Sequence, residues 1–547
     1  MTSTNTRRRI TAAAAIATAT VLAATACAPR DTPDTSAHPE VELVTALPAA
    51  TKPVDEVTWA VVEGEPQTLD PASSANVIIP NLCDSLLSVQ PDFTLEAGIA
   101  EGAEWIDPVT FEITVRDGVS FWDGTPVTAS DVAYSLERNR DPMSQWYAAF
   151  ALITGIEATD DDTVVVHFSA PDTTFRDALG GGGGAVMSQA FGDAAGQDLG
   201  TSGGGLMCAG PYRLDEWDPG TQITVTANPD YWNGAPLTER IRFVFVTDGA
   251  TLTSALVAGE IDGAFNVPPG SRQTFEATDG AGRLVAGPST ASYSFGPASA
   301  DSAAADPLVR QALSLAIDRR DYIDTVLQGL GHVQKTIVPP FVWGGMEAGD
   351  IYQAAYDALP EPEVHLDRAR DLIADSGVDT SEPLVLAVPA GAKEFSQTAA
   401  IVQSAAKDIG LTIEIDERQP ADFGALFYSP ELRDGIDFVA TTGYLEVPGV
   451  LGYPQLFMLP AELGGIFNWS GYSNEQVTAD LQAARTAVDP TSAAEAFADA
   501  QETFAPDQLQ VTLAGAHHLT YLSNDLTGVT TSVAVYATPW ALHLGAV

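Results

Sequence analysis

Residues 110–136 read TFEITVRDGVSFWDGTPVTASDVAYSL. From Thr110 to Val115 polar and apolar side chains alternate, the period of a strand with one buried face. Arg116-Asp117-Gly118 and Trp122-Asp123-Gly124 mark turns. Thr128-Ala129-Ser130-Asp131 has the spacing of a capping box, so a helix begins there with Val132, Ala133 and Leu136 on one side. Outward from this stretch the same strand signal recurs at Glu56–Val62, Thr163–Phe168 and Arg240–Val246. The first half of the chain is therefore strand-rich with intervening helices.

The second half changes character. Asp306-Pro307 supplies an N-cap carboxylate and a first-turn proline to an amphipathic helix. Its expected buried side holds Leu308, Ala312, Leu315, Ala316, Ile323 and Val326, and Gly329 ends it. Pro383–Val388 reads as a strand, Phe395–Ile409 as a helix and Leu411–Ile415 as a strand. That β-α-β order implies parallel strands and a right-handed crossover. Ile436–Thr441 is a further strand after the helical Ala421–Tyr428, and Asp480–Phe504 is mostly helical. Strand-like pieces at Leu509–Leu513, Leu519–Leu522 and Val529–Val535 close the chain and are expected to return to the first body. The fold class is α/β, with two bodies. Gly180–Gly184 reads as a flexible surface run without the surroundings of a phosphate cradle.

The chain has 547 residues, 45% apolar and 18% charged, which is globular and allows large cores. Its formal net charge of −48 repels phosphate backbones and argues against a nucleic-acid partner. At the N-terminus, Arg7, Arg8 and Arg9 precede an apolar run, Ile10–Ala26, as in a secretory signal, residues 1–26. Ala24-Thr25-Ala26 stands directly before Cys27, so Cys27 is the expected lipidation site; the plainer reading is ordinary cleavage with Cys27 incidental. Residues 27–52, rich in Pro, Thr, Asp and Ala, then form a flexible tether. In an oxidising exterior the remaining pair, Cys83 and Cys208, is expected to form a disulfide; two buried thiols are the alternative.

Together these residues resemble a known family. Thr68-Leu69-Asp70-Pro71 with Cys83-Asp84-Ser85-Leu86-Leu87, the stretch Phe111–Ser135, and Cys208-Ala209-Gly210-Pro211-Tyr212 follow its pattern. So do Asn228-Pro229-Asp230-Tyr231-Trp232, Ala258-Gly259-Glu260-Ile261-Asp262, Val309–Leu313 with Ala316-Ile317-Asp318, and Asn468–Ser473. The chain is similar to the peptide/nickel-type substrate-binding proteins (solute-binding family 5) of bacterial ABC importers, which include oligopeptide- and dipeptide-binding lipoproteins. The resemblance implies a two-lobed periplasmic-binding-protein-like fold (type II, cluster C) with an extra subdomain in the first lobe. Lobe I would comprise 53–297 plus 514–547, with the subdomain at about 82–195, and lobe II would comprise 298–513. Crossing segments near Ser292–Ala298 and Gln510–Gly515 would form the hinge.

By the same resemblance the protein captures a small solute, a peptide first among them, and delivers it to ABC permease subunits. It would do so as a monomer, lipid-anchored on the outer face of the cytoplasmic membrane. Candidate ligand contacts carried over by position are Ser74, Asn76, Trp146, Tyr147, Ala209, Gly210, Tyr444, Glu446, Asn468 and Trp469. Peptide-binding members place an aromatic and then an Asp after the strand equivalent to Ile436–Thr441, and that Asp pairs with the ligand's α-amine. Here Tyr444 is followed by Glu446 instead. No catalytic residue, cofactor or metal is expected: the chain has no P-loop or H-E-x-x-H string. His517-His518 would point to opposite faces of a strand and cannot chelate together. The readings from other classes are a lipid-anchored extracellular hydrolase and a surface sensing or adhesion protein.

Overall fold

The computed structural model describes residues 41–278, 280 and 282–547. The signal, its apolar run and Cys27 lie outside the described residues. Two large sheets organise the chain. The first has seven strands in the order Gly282–Gly287, His518–Ser523, Gly263–Phe265, Val54–Val61, Thr238–Phe245, Gln222–Ala227 and Tyr212–Asp218. Val54–Val61 runs parallel to both of its neighbours, and its second half, Val57–Val61, is buried on both faces. Trp59 packs there at 4.7 Å from Phe265 and 4.5 Å from Trp540.

The second sheet has six strands, ordered Gly331–His332, Val511–Ala516, Ser292–Pro297, Phe438–Gly443, Leu384–Pro389 and Ile413–Arg418. Leu384–Pro389 and Ile413–Arg418 are parallel, joined by the helix Lys393–Asp408, which buries Ala399, Val402 and Ala406 against them. A third, four-stranded antiparallel sheet holds Ala100–Asp107, Thr110–Val115, Thr163–Phe168 and Ile153–Ala158. The capping box forms: Thr128 accepts from Asp131 N–H while the Asp131 carboxylate accepts from Thr128 N–H. The helix it starts, Ala129–Arg138, buries Val132 and Leu136 in the core behind this third sheet.

Several local expectations change. Residues 41–52 do not float as a tether. Val44 N–H donates to Ala286 O, Leu47 N–H to Val529 O and Ala50 N–H to His543 O. Val529–Val535 is correspondingly not a strand of a sheet; Thr530 bridges Ala46, and Val533–Tyr536 forms a 3₁₀ turn. The two segments also bond to each other, Thr531 and Ser532 N–H donating to Thr45 O, where the sequence reading left one solvated and assigned the other to a sheet. The long helix after Pro307 is two helices, Pro307–Ala316 and Arg319–Val326. Ile317 is extended, and the Asp318 carboxylate caps the second helix through Arg320 and Asp321 N–H. The first helix buries Val309, Arg310, Ala312 and Leu313, leaving Leu308, Leu315 and Ala316 partly exposed.

The chain passes between the large sheets at 288–291 and at His517. Ser292–Pro297 and Val511–Ala516, expected to cross, pair with each other inside the second sheet. Cys83 and Cys208 are disulfide-bonded, closing a span of 125 residues around the third sheet. His518 Nδ1 lies 3.0 Å from Thr531 O, whereas the His517 ring stacks on His332, so the two histidines face different surroundings.

Candidate functional site

The strand Phe438–Gly443 ends where the two large bodies meet, and its carboxyl end carries Tyr444, Leu445 and Glu446. Such ends are the usual ligand edge of α/β sheets. Thr290, in a crossing segment, fixes this loop: its hydroxyl accepts from Leu445 N–H at 2.8 Å and donates to Leu445 O at 2.9 Å. From the other side the short helix Thr174–Ala178 presents Asp177. The approach is close, because a Cβ added to Gly449 would stand 3.3 Å from an Asp177 carboxylate oxygen.

Between them lies a cavity of about 440 Å³, within the range of small-molecule sites. Trp105, Trp146 and Asp177 face it from the body of the third sheet. Met346, Tyr352, Tyr444, Glu446, Val450 and Gln455 face it from the second body. The wall is mainly apolar and aromatic, and it carries two half-buried carboxylates. Burial pushes Glu446 up to about 7. Burial likewise pushes Asp177 up to about 7; the neighbouring Arg176 offsets part of this and Asp172 adds to it. Neither carboxylate has a hydrogen-bond or ion-pair partner among the described residues. Gln455 is 7% exposed, and its Oε1 also lacks a partner.

Contacts across the cleft hold the bodies together around this cavity. Asp172, fully buried, pairs with Arg485, whose guanidinium also donates to Ala148 O at 2.9 Å. Thr173 N–H and hydroxyl both donate to Arg485 O. Phe93 stacks on Phe341 at 5.2 Å and Tyr444 on Tyr536 at 4.4 Å.

The structure distributes the sequence candidates unevenly. Trp146, Tyr444 and Glu446 line the cavity. Ser74 and Asn76 share a small adjoining cleft with Glu446, but Asn76 is already engaged: its side-chain oxygen accepts from Ile78 and Ile79 N–H. Tyr147 is 39% exposed and does not line the cavity. Ala209 and Gly210 are buried behind it; Gly210 O accepts from Trp122 Nε1 and Asn228 Nδ2, and a Cβ at Gly210 would meet Leu82 O. Asn468 ties its own loop through Leu459 O and Tyr472 O, and Trp469 stacks under Arg433 at 4.1 Å. None of these last four lines the cavity.

Gly180–Gly184 is framework, not a flexible surface run. Trp146 lies over it, donating Nε1–H to Pro71 O, and a Cβ at Gly181 or Gly183 would collide with the indole. Glycine is required because ring and backbone approach too closely for any side chain. Sequence reasoning missed Asp177, Gln455, Tyr352 and Trp105. No motif marks them; they come from separate segments.

A sequence profile described as "Bacterial extracellular solute-binding proteins, family 5 Middle" matches residues 94–457, more than half of the chain. The chain belongs to that family. Protein XP55 of Streptomyces lividans is 28% identical over 493 residues, covering 86% of each chain. The glutathione-binding protein GsiB of Salmonella typhi is 25% identical over 471 residues, 84% of this chain and 89% of its own. The fold matches the periplasmic binding protein DppA of Helicobacter pylori in complex with the peptide STSA, with TM-score 0.77 and 19% identity. That match covers 90% of this chain and 98% of the other. The family-5 fold is thus a two-lobed α/β solute-binding architecture, and the family is one of solute binders. Hydrolase and adhesion readings gain no observation from it. Among the described residues no helix is long and apolar enough to cross a membrane.

Proposed function

We propose that this family-5 protein captures a small solute, with short peptides as the leading class, in the cavity between its lobes and passes it to an ABC permease. The observation that carries the reading is the cavity itself: about 440 Å³, walled by side chains from both bodies. A ligand there touches both lobes only when they are closed, so binding shifts the population toward closure. The crossing segments at 288–291 and His517 are where the hinge would act. Residues 82–195 would move with lobe I as its subdomain. The N-terminal reading supplies the rest: signal cleavage, a lipid on Cys27, and a monomer held at the outer face of the cytoplasmic membrane. The relatives' printed ligands, glutathione and a peptide, support a peptide-sized cargo.

A thermal-shift screen of small solutes, followed by X-ray scattering with each hit, tests the reading. Ligand at a hundred times its dissociation constant is expected to add about 2.7 kcal/mol of stability and to make the particle more compact. No stabilising solute and an unchanged scattering profile would defeat it. For an amine-bearing ligand, Glu446→Gln is expected to cost roughly 1.5–3 kcal/mol, the worth of a charge-assisted hydrogen bond. Isothermal titration measures this; unchanged affinity removes Glu446 from the site.

A further inference from the structure

Acceptors without hydrogen-bond partners dominate the buried part of the cavity wall. Asp177 and Glu446 are carboxylates with no donor among the described residues, and they come from opposite lobes. Gln455, more than nine-tenths buried, adds an unpartnered acceptor oxygen. Several donors nearby are spent: Trp146 Nε1–H on Pro71 O, Thr174 hydroxyl on Asp172 and Thr173 hydroxyl on Arg485 O; the Arg176 guanidinium and the Tyr352 hydroxyl, also on the wall, sense the charge of Asp177 without hydrogen-bonding to it. Counting Glu347, three carboxylates and the single guanidinium of Arg176 line the cavity, a surplus of two negative charges once all three are ionised. Closing over a neutral or anionic ligand would leave Glu446 uncompensated and Asp177 with only the partial offset of Arg176, which is costly.

We infer that the cargo carries two cationic N–H donor groups on an apolar frame, one meeting Glu446 and the other meeting Asp177. This rests on the solute-capture reading above and names its ligand class. The apolar frame follows from Trp105, Trp146, Met346 and Val450 on the same wall. Asp177 is the new element: it belongs to the third-sheet body, so a second charge on the ligand draws that body onto lobe II.

Capture is then linked to protons. Burial pushes both carboxylates up to about 7, so near neutrality each is partly protonated. Binding a dication requires both ionised, so protons leave and affinity rises with pH. The titratable and charged groups facing them do not reverse the sign. Arg176 and Asp172 flank Asp177, with Asp172 held by Arg485. Burial raises Tyr352 and Tyr444 beyond this range, and Glu63 near Tyr444 and Glu347 on the rim are further carboxylates.

The test uses the mature protein and a panel sorted by charge: lysyl-phenylalaninamide and a long-chain α,ω-diamine as dications, their mono- and diacetylated forms, neutral peptides, and dicarboxylates. Thermal stabilisation is expected from the dications, less from the monoacetylated forms and none from the diacetylated or anionic members. For the α,ω-diamine, whose amines stay protonated throughout, the dissociation constant is expected to rise about a hundredfold from pH 8 to pH 6, with about one proton released per ligand at pH 7. Asp177→Asn, a neutral isostere whose folding is checked by its own melting curve, should cut the pH effect to about tenfold. Stabilisation by a neutral or anionic solute with the dications silent overturns the inference and leaves solute capture standing. Silence from every class overturns both. A dication that binds Asp177→Asn with unchanged affinity and pH profile overturns the role of Asp177.

Discussion

Arg485→Ala is expected to weaken ligand capture by about two orders of magnitude or more and to leave the ligand-free protein more open in solution. Arg485 stands on the helix Glu475–Thr486 of the second body, and its partner Asp172 belongs to the third-sheet body across the cleft. Asp172 is fully buried and also accepts from Thr174 N–H and hydroxyl. Removing one member of a buried pair strands the other, at a typical cost of 3–5 kcal/mol. Opening the cleft rehydrates Asp172, so that cost falls on the closed state alone and appears as lost affinity. Replacing both partners, Asp172→Asn with Arg485→Met, leaves no buried charge and is expected to recover most of the loss. Titration calorimetry and scattering on the two single variants and the double variant measure the coupling. A double variant as impaired as Arg485→Ala would show that the pair is not an inter-lobe latch.

The second large effect is on stability. The Cys83–Cys208 bridge spans 125 residues and gathers the third sheet, with its helices, onto the first body. Loop-closure entropy for that length gives about 5 kcal/mol, and native disulfides typically deliver about 2–5. Both cysteines are buried in the first core. Cys83→Ala with Cys208→Ala is therefore expected to lower the melting temperature by several degrees or more, through chain entropy and a small packing loss. Reductant should reproduce the change only after partial unfolding, since the bond is shielded from solvent. Melting curves that coincide for the double variant and the parent would remove the bridge from the stability of the fold.

How far the sequence speaks depends on distance along the chain. Thr110–Val115, Thr163–Phe168, the capping box at Thr128 and the parallel pair around Lys393–Asp408 were all legible. Each is a pattern of period or hydrogen bonding within a few residues. The helix break at Ile317 was misread because its cue, the Asp318 N-cap, lies inside an apolar period that continues on both sides. Glu446 and Tyr444 were legible as the end of a strand. Asp177 was not: its meaning comes from Gly449 and Tyr352, residues that reach it only in the folded chain.

The sequence by itself determined the α/β class, the family and the edge at which a ligand would be met, because local periodicity and short motifs fix which faces must be buried. Tertiary structure alone decided that Gly180–Gly184 is a bed for Trp146, that residues 41–52 are docked against the body, and that Arg485 reaches Asp172. It also brought Asp177 and Glu446 from separate lobes to one cavity. The reason is physical. A side chain's charge and shape are written at its own position, while its burial and its missing partner are set by segments hundreds of residues away.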